Sequence, residues 1–195
     1  MNRGVAAGVL ASLLLGGGLL LAQPRPATPT ADSPETQFVR HMLVHHEQAL
    51  ALSAPMLRRS RDRSLRSVAL DITLGQEEQL RQMRGWLAGW GQSQEPRPTP
   101  AHARAMGMAS AQEVAALWTL PLPQAEASFL RLMIRHHQGA VSMSEPLRDS
   151  PQATVRRLAR QVVTLQRGEM ATMTNLLQVR GGTATPPPTG PQHHH

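Results

Sequence analysis

From Phe38 onward, apolar residues return every three or four positions, and the long stretches they define are separated by Pro- and Gly-rich breaks. At about 100° per residue, Phe38, Met42, His45, Ala49 and Leu52 fall on one stripe of a helix, with His46 and Ser53 on its flank. Ser33 is placed to cap this helix and Pro34 to occupy its first position. Pro55 is expected to end or kink it. A second helix is predicted from about Asp62 to Trp90, with Leu65, Val68, Ile72, Gln76, Gln79, Leu80, Met83 and Leu87 near its inner face and Gly89-Trp90-Gly91 as its stop.

A Pro-rich connection follows over 92–105, and Ser110 to Glu113 forms a capping box that starts a short helix through Trp118. Pro121 and Pro123 end that helix. A third long helix begins near Gln124 and carries Met133, His136, His137, Ala140, Met143 and Ser144 on one side. Ser150-Pro151 opens the last one, with Leu158, Val162, Leu165, Glu169, Met173 and Leu176 along one face and Gly181-Gly182 as its stop.

The two halves of this pattern are copies. FVRHMLVHHEQALALSAP at Phe38–Pro55 returns as FLRLMIRHHQGAVSMSEP at Phe129–Pro146, 91 residues on, with eight of 18 positions identical. QxxQLxxM at Gln76–Met83 is matched by QxxEMxxM at Gln166–Met173, so a whole helix pair is repeated. No segment alternates as a strand does. Two helix pairs with apolar inner stripes predict an all-α four-helix bundle over residues 35–182, in which the Phe38 and Phe129 helices are related by approximate two-fold symmetry.

The ends read differently. Residues 1–22 combine Arg3 with an apolar run to Ala22, the pattern of a signal peptide or N-terminal anchor, so the folded part is expected outside the cytoplasm. Residues 23–34, with neighbouring Glu35 and Thr36, read as a disordered Pro/Thr/Ala tether, and 183–195 as a disordered Pro/His tail. A membrane tether through the N-terminus and a homo-oligomer both stay open.

Composition narrows the function. All 20 basic residues are arginine and the net charge is +7, but the arginines are dispersed and the chain has no Tyr, two Phe and three Trp. That is poor material for stacking bases, so no nucleic-acid role is expected. The absence of cysteine removes disulfides and thiolate sites. No nucleophile constellation, paired-carboxylate motif or phosphate loop points to an enzyme.

The chemistry left is the doubled Met-x-x-His-His. Met42 lies one turn from His45 and His46, and Met133 stands likewise to His136 and His137. Adjacent histidines point about 100° apart. His45 and His136 are therefore expected to face the bundle axis, with His46 and His137 on the shoulder. Met83, Met143, Met173 and Glu169 sit where neighbouring helices can add ligands. Thioether sulfur suits Cu(I) and imidazole accepts copper, so copper is the expected metal, Cu(I) ahead of Cu(II). A ferritin-type di-iron site needs Glu-x-x-His, which the chain lacks. Met106-Gly107-Met108 reads as a Gly-flanked loop, with an exposed soft-metal pick-up point as the alternative. His41 and His102 have no counterpart in the other copy and are not counted as ligands. The rival to metal binding is a metal-independent envelope module whose histidines serve structure or a partner.

HMLVHHEQAL and LMIRHHQGAV, each followed by a QxxxxxxM helix, resemble the domain-of-unknown-function 305 family, as does Met106-Gly107-Met108 leading into SAQEVAAL. The resemblance runs from about Glu35 to Arg180. It implies an exported ferritin-like bundle, in some members copper-binding through Met and His, and carries that role to Met42, His45, His46, Met133, His136, His137 and Met143. The family's second-helix glutamate is matched by Glu169 in the second copy, whereas Gln79 stands there in the first.

Overall fold

The computed structural model describes residues 27–181. Four long helices make the body: α1 (Pro34–Arg59), α2 (Arg63–Gly89), α5 (Leu122–Ser144) and α6 (Ala153–Val179), with two short ones, α3 (Pro100–Ala105) and α4 (Ala111–Thr119), between the halves. Among the described residues there is no strand, and no helix is long and apolar enough to cross a membrane. The residues read as signal and the first four of the tether, 23–26, lie outside the described part, as do residues 182–195.

Local chemistry sets the helix ends. The Ser33 hydroxyl accepts from Thr36 N, the Asp62 carboxylate accepts from Leu65 N, and Ser110 and Glu113 form the reciprocal box. Each such cap is worth about 1 kcal/mol. Gly91 and Gly181 take positive φ (67° and 71°) just beyond α2 and α6, as a left-handed helix stop requires. Thr99 caps α3 and Pro100 opens it. This one-and-a-half-turn helix was not expected, because the surrounding prolines read as a plain connection.

Pro55 does not end α1. The helix runs four residues past it, because one missing N–H costs less than the contacts the extra turn makes. Met56 is fully buried, and Arg59 donates to the carbonyls of Leu117 and Leu120 at the end of α4. In the second copy the α-helix stops at Ser144, and Pro146 sits in a 3-10 turn.

The core falls into two apolar clusters. One joins the C-terminal half of α1 and the start of α2 to the first half of α5 and the end of α6, through Leu52, Met56, Leu65, Phe129, Met133 and Met173. The other joins the start of α1 and the end of α2 to Ala140 and the start of α6, through Phe38, Met42, Met83 and Val162. Adjacent helices are therefore antiparallel, and the repeat exchanges one cluster for the other. Between them lies a polar waist of His45, His46, Gln76, Gln79, His136, His137 and Gln166, all buried. This waist explains one correction. Leu165, expected inside, is 50% exposed, because Gln166 takes the inward position as Gln76 does in α2.

Residues 27–33, assigned to the tether on composition, lie against the bundle. Pro29 is buried, and the Ala31 carbonyl accepts from Arg40 Nη1 at 2.9 Å and from Gln37 Nε2 at 3.1 Å.

Candidate metal site

At the centre of the waist α1 and α5 cross, and the two copies of the motif meet. The His45 and His136 rings stack with centroids 3.6 Å apart and planes 29° from parallel. Both face the axis, as the helical phase required. His46 and His137 are not on a shoulder, however: all four histidines have no exposed surface. α2 and α6 complete the enclosure, so a residue 100° round from the axis is also covered.

Each ring commits its Nε2. His45 Nε2–H donates to the Met106 carbonyl (3.0 Å) and His136 Nε2–H to the His45 carbonyl (2.8 Å). His46 Nε2–H donates to Gln79 Oε1 (2.6 Å) and His137 Nε2–H to Glu169 Oε2 (2.7 Å). All four Nδ1 atoms are buried, and among the described residues none has a protein hydrogen-bond partner. The positions paired by the repeat, Ser53 with Ser144 and Gln76 with Gln166, also hold buried side-chain atoms without a protein partner.

Burial keeps the rings of His45, His46 and His136 neutral. Desolvation, then the neighbouring His46, holds His45 down to about 3, although its bond to Met106 pulls the other way. Desolvation holds His46 down to about 4, opposed by Gln79. Desolvation and then His45 push His136 well below the ordinary 6.5. In a neutral ring with Nε2–H, Nδ1 is a bare lone pair. An imidazole that gives its N–H to a carbonyl or carboxylate and turns its other nitrogen loose is the arrangement of a metal-ligating histidine.

The methionines sort to either side. Met42 and Met83 lie in one apolar cluster, with half-buried Met143 against it, and Met133 and Met173 lie in the other. Glu169 is partly exposed, with its carboxylate on His137. Among the described residues, no three His, Asp or Glu side chains converge as a ligand set. A metal here would therefore have to draw on thioethers as well as imidazoles. The residues present fit a soft ion and not a closed zinc or di-iron centre.

A strap closes the waist, and sequence alone does not reveal it. Met106 and Met108 are 4% and 8% exposed, so Met106-Gly107-Met108 is not an exposed pick-up point. Gln48 clamps Ala109 from α1, with its Nε2 donating to the carbonyl (2.8 Å) and its Oε1 accepting from the amide (2.6 Å). On α5 the strap lies so close that a Cβ at Gly139 would stand 1.7 Å from the Met106 oxygen. Gly107, at φ +76°, would bring a Cβ to 2.4 Å from the Arg135 oxygen. The one trace of this in the sequence is the repeat itself, where Gln48 is replaced by Gly139.

His41 and His102, left aside on sequence, are brought into contact: their rings meet edge-on with centroids 4.5 Å apart.

Comparison with known proteins agrees with the fold. A DUF305 fragment from Deinococcus radiodurans is 58% identical, over 77% of this chain and 99% of that one, with a TM-score of 0.74. A DUF305 protein from Streptomyces coelicolor, described as a candidate secreted protein, is 36% identical over 85% of this chain and all of that one, at 0.73. CopM in its Cu(II)-bound form is 26% identical over 75% of this chain and 96% of that one, at 0.59. The Cu(I)-bound form of CopM shares the fold at 24% identity and 0.64, over 77% and 99%. No curated protein matches the chain. The model of the domain of unknown function DUF305 matches residues 35–192, nearly the whole bundle with its duplicated His-His motifs, and the chain belongs to that family.

Proposed function

We propose that this protein is an exported copper-binding protein that holds copper at the waist of its bundle, for sequestration or handover. One observation carries the reading: four buried histidines each spend Nε2–H on an oxygen acceptor and keep Nδ1 uncommitted. An unpaired polar atom in a core costs roughly 1–3 kcal/mol, and doing so four times in symmetric positions calls for a partner that apolar packing does not supply. Copper bound in CopM supports the choice of metal, since that protein shares this fold.

His45, His46, His136 and His137 would bind through Nδ1, no more than two of them on any one ion, since among the described residues no three converge. Met42, Met133, Met143 and Met173 would supply thioethers, and Glu169 would orient His137. A set mixing thioether and imidazole favours Cu(I) over Cu(II) and admits both. Gln79, Glu169 and the Met106 and His45 carbonyls fix the rings' tautomers and directions. Export is supported by the Arg3-to-Ala22 pattern and by the Streptomyces coelicolor relative's description.

The deciding experiment compares Cu(I) binding by the full chain and by H45A/H136A, both with His193, His194 and His195 replaced by alanine and both checked for helicity. If the folded double variant binds copper as its parent does, the histidines are structural and the copper reading is wrong.

A further inference from the structure

The contact between His41 and His102 joins two parts of the chain that have nothing in common in sequence. His41 lies on α1 one turn before His45, so the two side chains leave the same face of the helix about 6 Å apart. His102 is an exposed residue of α3, and its carbonyl accepts from Met106 N at 3.0 Å. Met106 is the residue whose own carbonyl holds His45. The pair therefore stands at the outer edge of the strap, bonded through one peptide to the residue that closes the waist.

The position of His102 is preset rather than incidental. Thr99 caps α3, with its hydroxyl accepting from His102 N at 3.2 Å, and Pro100 fixes the first turn. Among the described residues neither ring donates or accepts a hydrogen bond through its nitrogens, so the contact is not explained by hydrogen bonding. With metal–nitrogen bonds of about 2 Å, two imidazoles bound side by side to one ion hold their centres about 4.5–5.5 Å apart. The observed 4.5 Å is at the near end of that span.

We propose that His41 and His102 form a solvent-facing two-imidazole site for a divalent d-block cation, which loads copper toward the buried waist. Imidazole accepts copper, nickel and zinc alike, and two ligands from protein leave the remaining positions to water, so the ion is held loosely. A loosely held ion one helical turn from His45, beside the strap that covers it, is placed to pass inward when Met106 moves. The loading step rests on the copper reading above; the surface site does not.

The test uses the full chain with His193, His194 and His195 replaced by alanine, and Cu(II) supplied as its glycine chelate. Electron paramagnetic resonance and equilibrium dialysis count bound Cu(II), and stopped-flow absorbance follows filling. H102A touches only an exposed side chain on a short helix, so the fold should survive. Its affinity for the readily exchanged Cu(II) is expected to fall by at least the 10–100-fold that loss of an outer-shell partner costs elsewhere, and the slower phase of filling should lag in proportion. H41A should do the same. H45A/H136A should keep the exchangeable Cu(II) and lose the slow phase. If H102A binds as many Cu(II) ions as its parent, with an unchanged spectrum, the ring contact is packing and the site is refuted. If instead H45A/H136A matches its parent while H102A does not, the waist reading fails and the surface site stands.

Discussion

His136 stacks its ring on His45 at 3.6 Å and donates its Nε2–H to the backbone carbonyl of the same residue, 2.8 Å away. The two residues occupy one position of a repeat, and the bundle uses them to join its halves. The waist is thus both the seam of the duplication and the place where polar groups are sealed from water.

Acid should unfold the metal-free protein early. His45, His46 and His136 have folded-state pKa values far below their unfolded value near 6.5. Below that pH the unfolded chain binds protons that the folded chain refuses. The stability from neutral burial is therefore complete above about pH 6.5 and is lost as pH falls toward the folded values of about 3 and 4. Each histidine contributes a slope of roughly 1.4 kcal/mol per pH unit. Urea unfolding at pH 7, 6 and 5 should show stability dropping by several kcal/mol; a flat profile would contradict the buried neutral rings.

Copper affinity should depend on sulfur as well as nitrogen. M42L/M133L keeps the volume of the core at a cost typically under about 1.5 kcal/mol. Competition with a colorimetric Cu(I) chelator should show weaker Cu(I) binding in this variant, with Zn(II) binding unchanged because zinc gains nothing from thioether. Equal losses for both metals would mean that the methionines act only as packing.

Glu169→Leu should weaken copper binding by about 10–100-fold, because His137 loses the acceptor that fixes its ring, whereas Glu169→Gln should retain most of it. Chelator competition on both variants reads the difference. Parent-like copper binding by Glu169→Leu would remove Glu169 from the site.

Gly139→Ala should displace the strap. Its Cβ would overlap the Met106 carbonyl, which is backbone and cannot swing aside. The cost is expected at about 1–3 kcal/mol, with Met106 and Met108 becoming open to peroxide. Urea midpoints and methionine oxidation mapped by mass spectrometry check both effects. Parent-like stability with protected methionines would show that the strap is not held there.

Much of this architecture is legible in the residues themselves, because its causes are local. Helical periodicity turned Phe38, Met42 and His45 inward, Ser33 and Asp62 started helices through their own side chains, and the repeat announced that His45 and His136 are equivalents. Equivalence on two packed antiparallel helices is enough to bring them together. The remainder needed the tertiary structure, because it depends on contacts between segments far apart in the chain. Helical phase put His46 and His137 on a flank, but only α2 and α6 closing over them made that flank interior. Periodicity alone favoured Leu165, and the polar level of the waist chose Gln166. Nothing local to Met106 shows that its carbonyl will meet His45, or that Gly139 is small so that a strap can cross it. His41 and His102 have no counterparts along the repeat, whereas α3 brings them together across it.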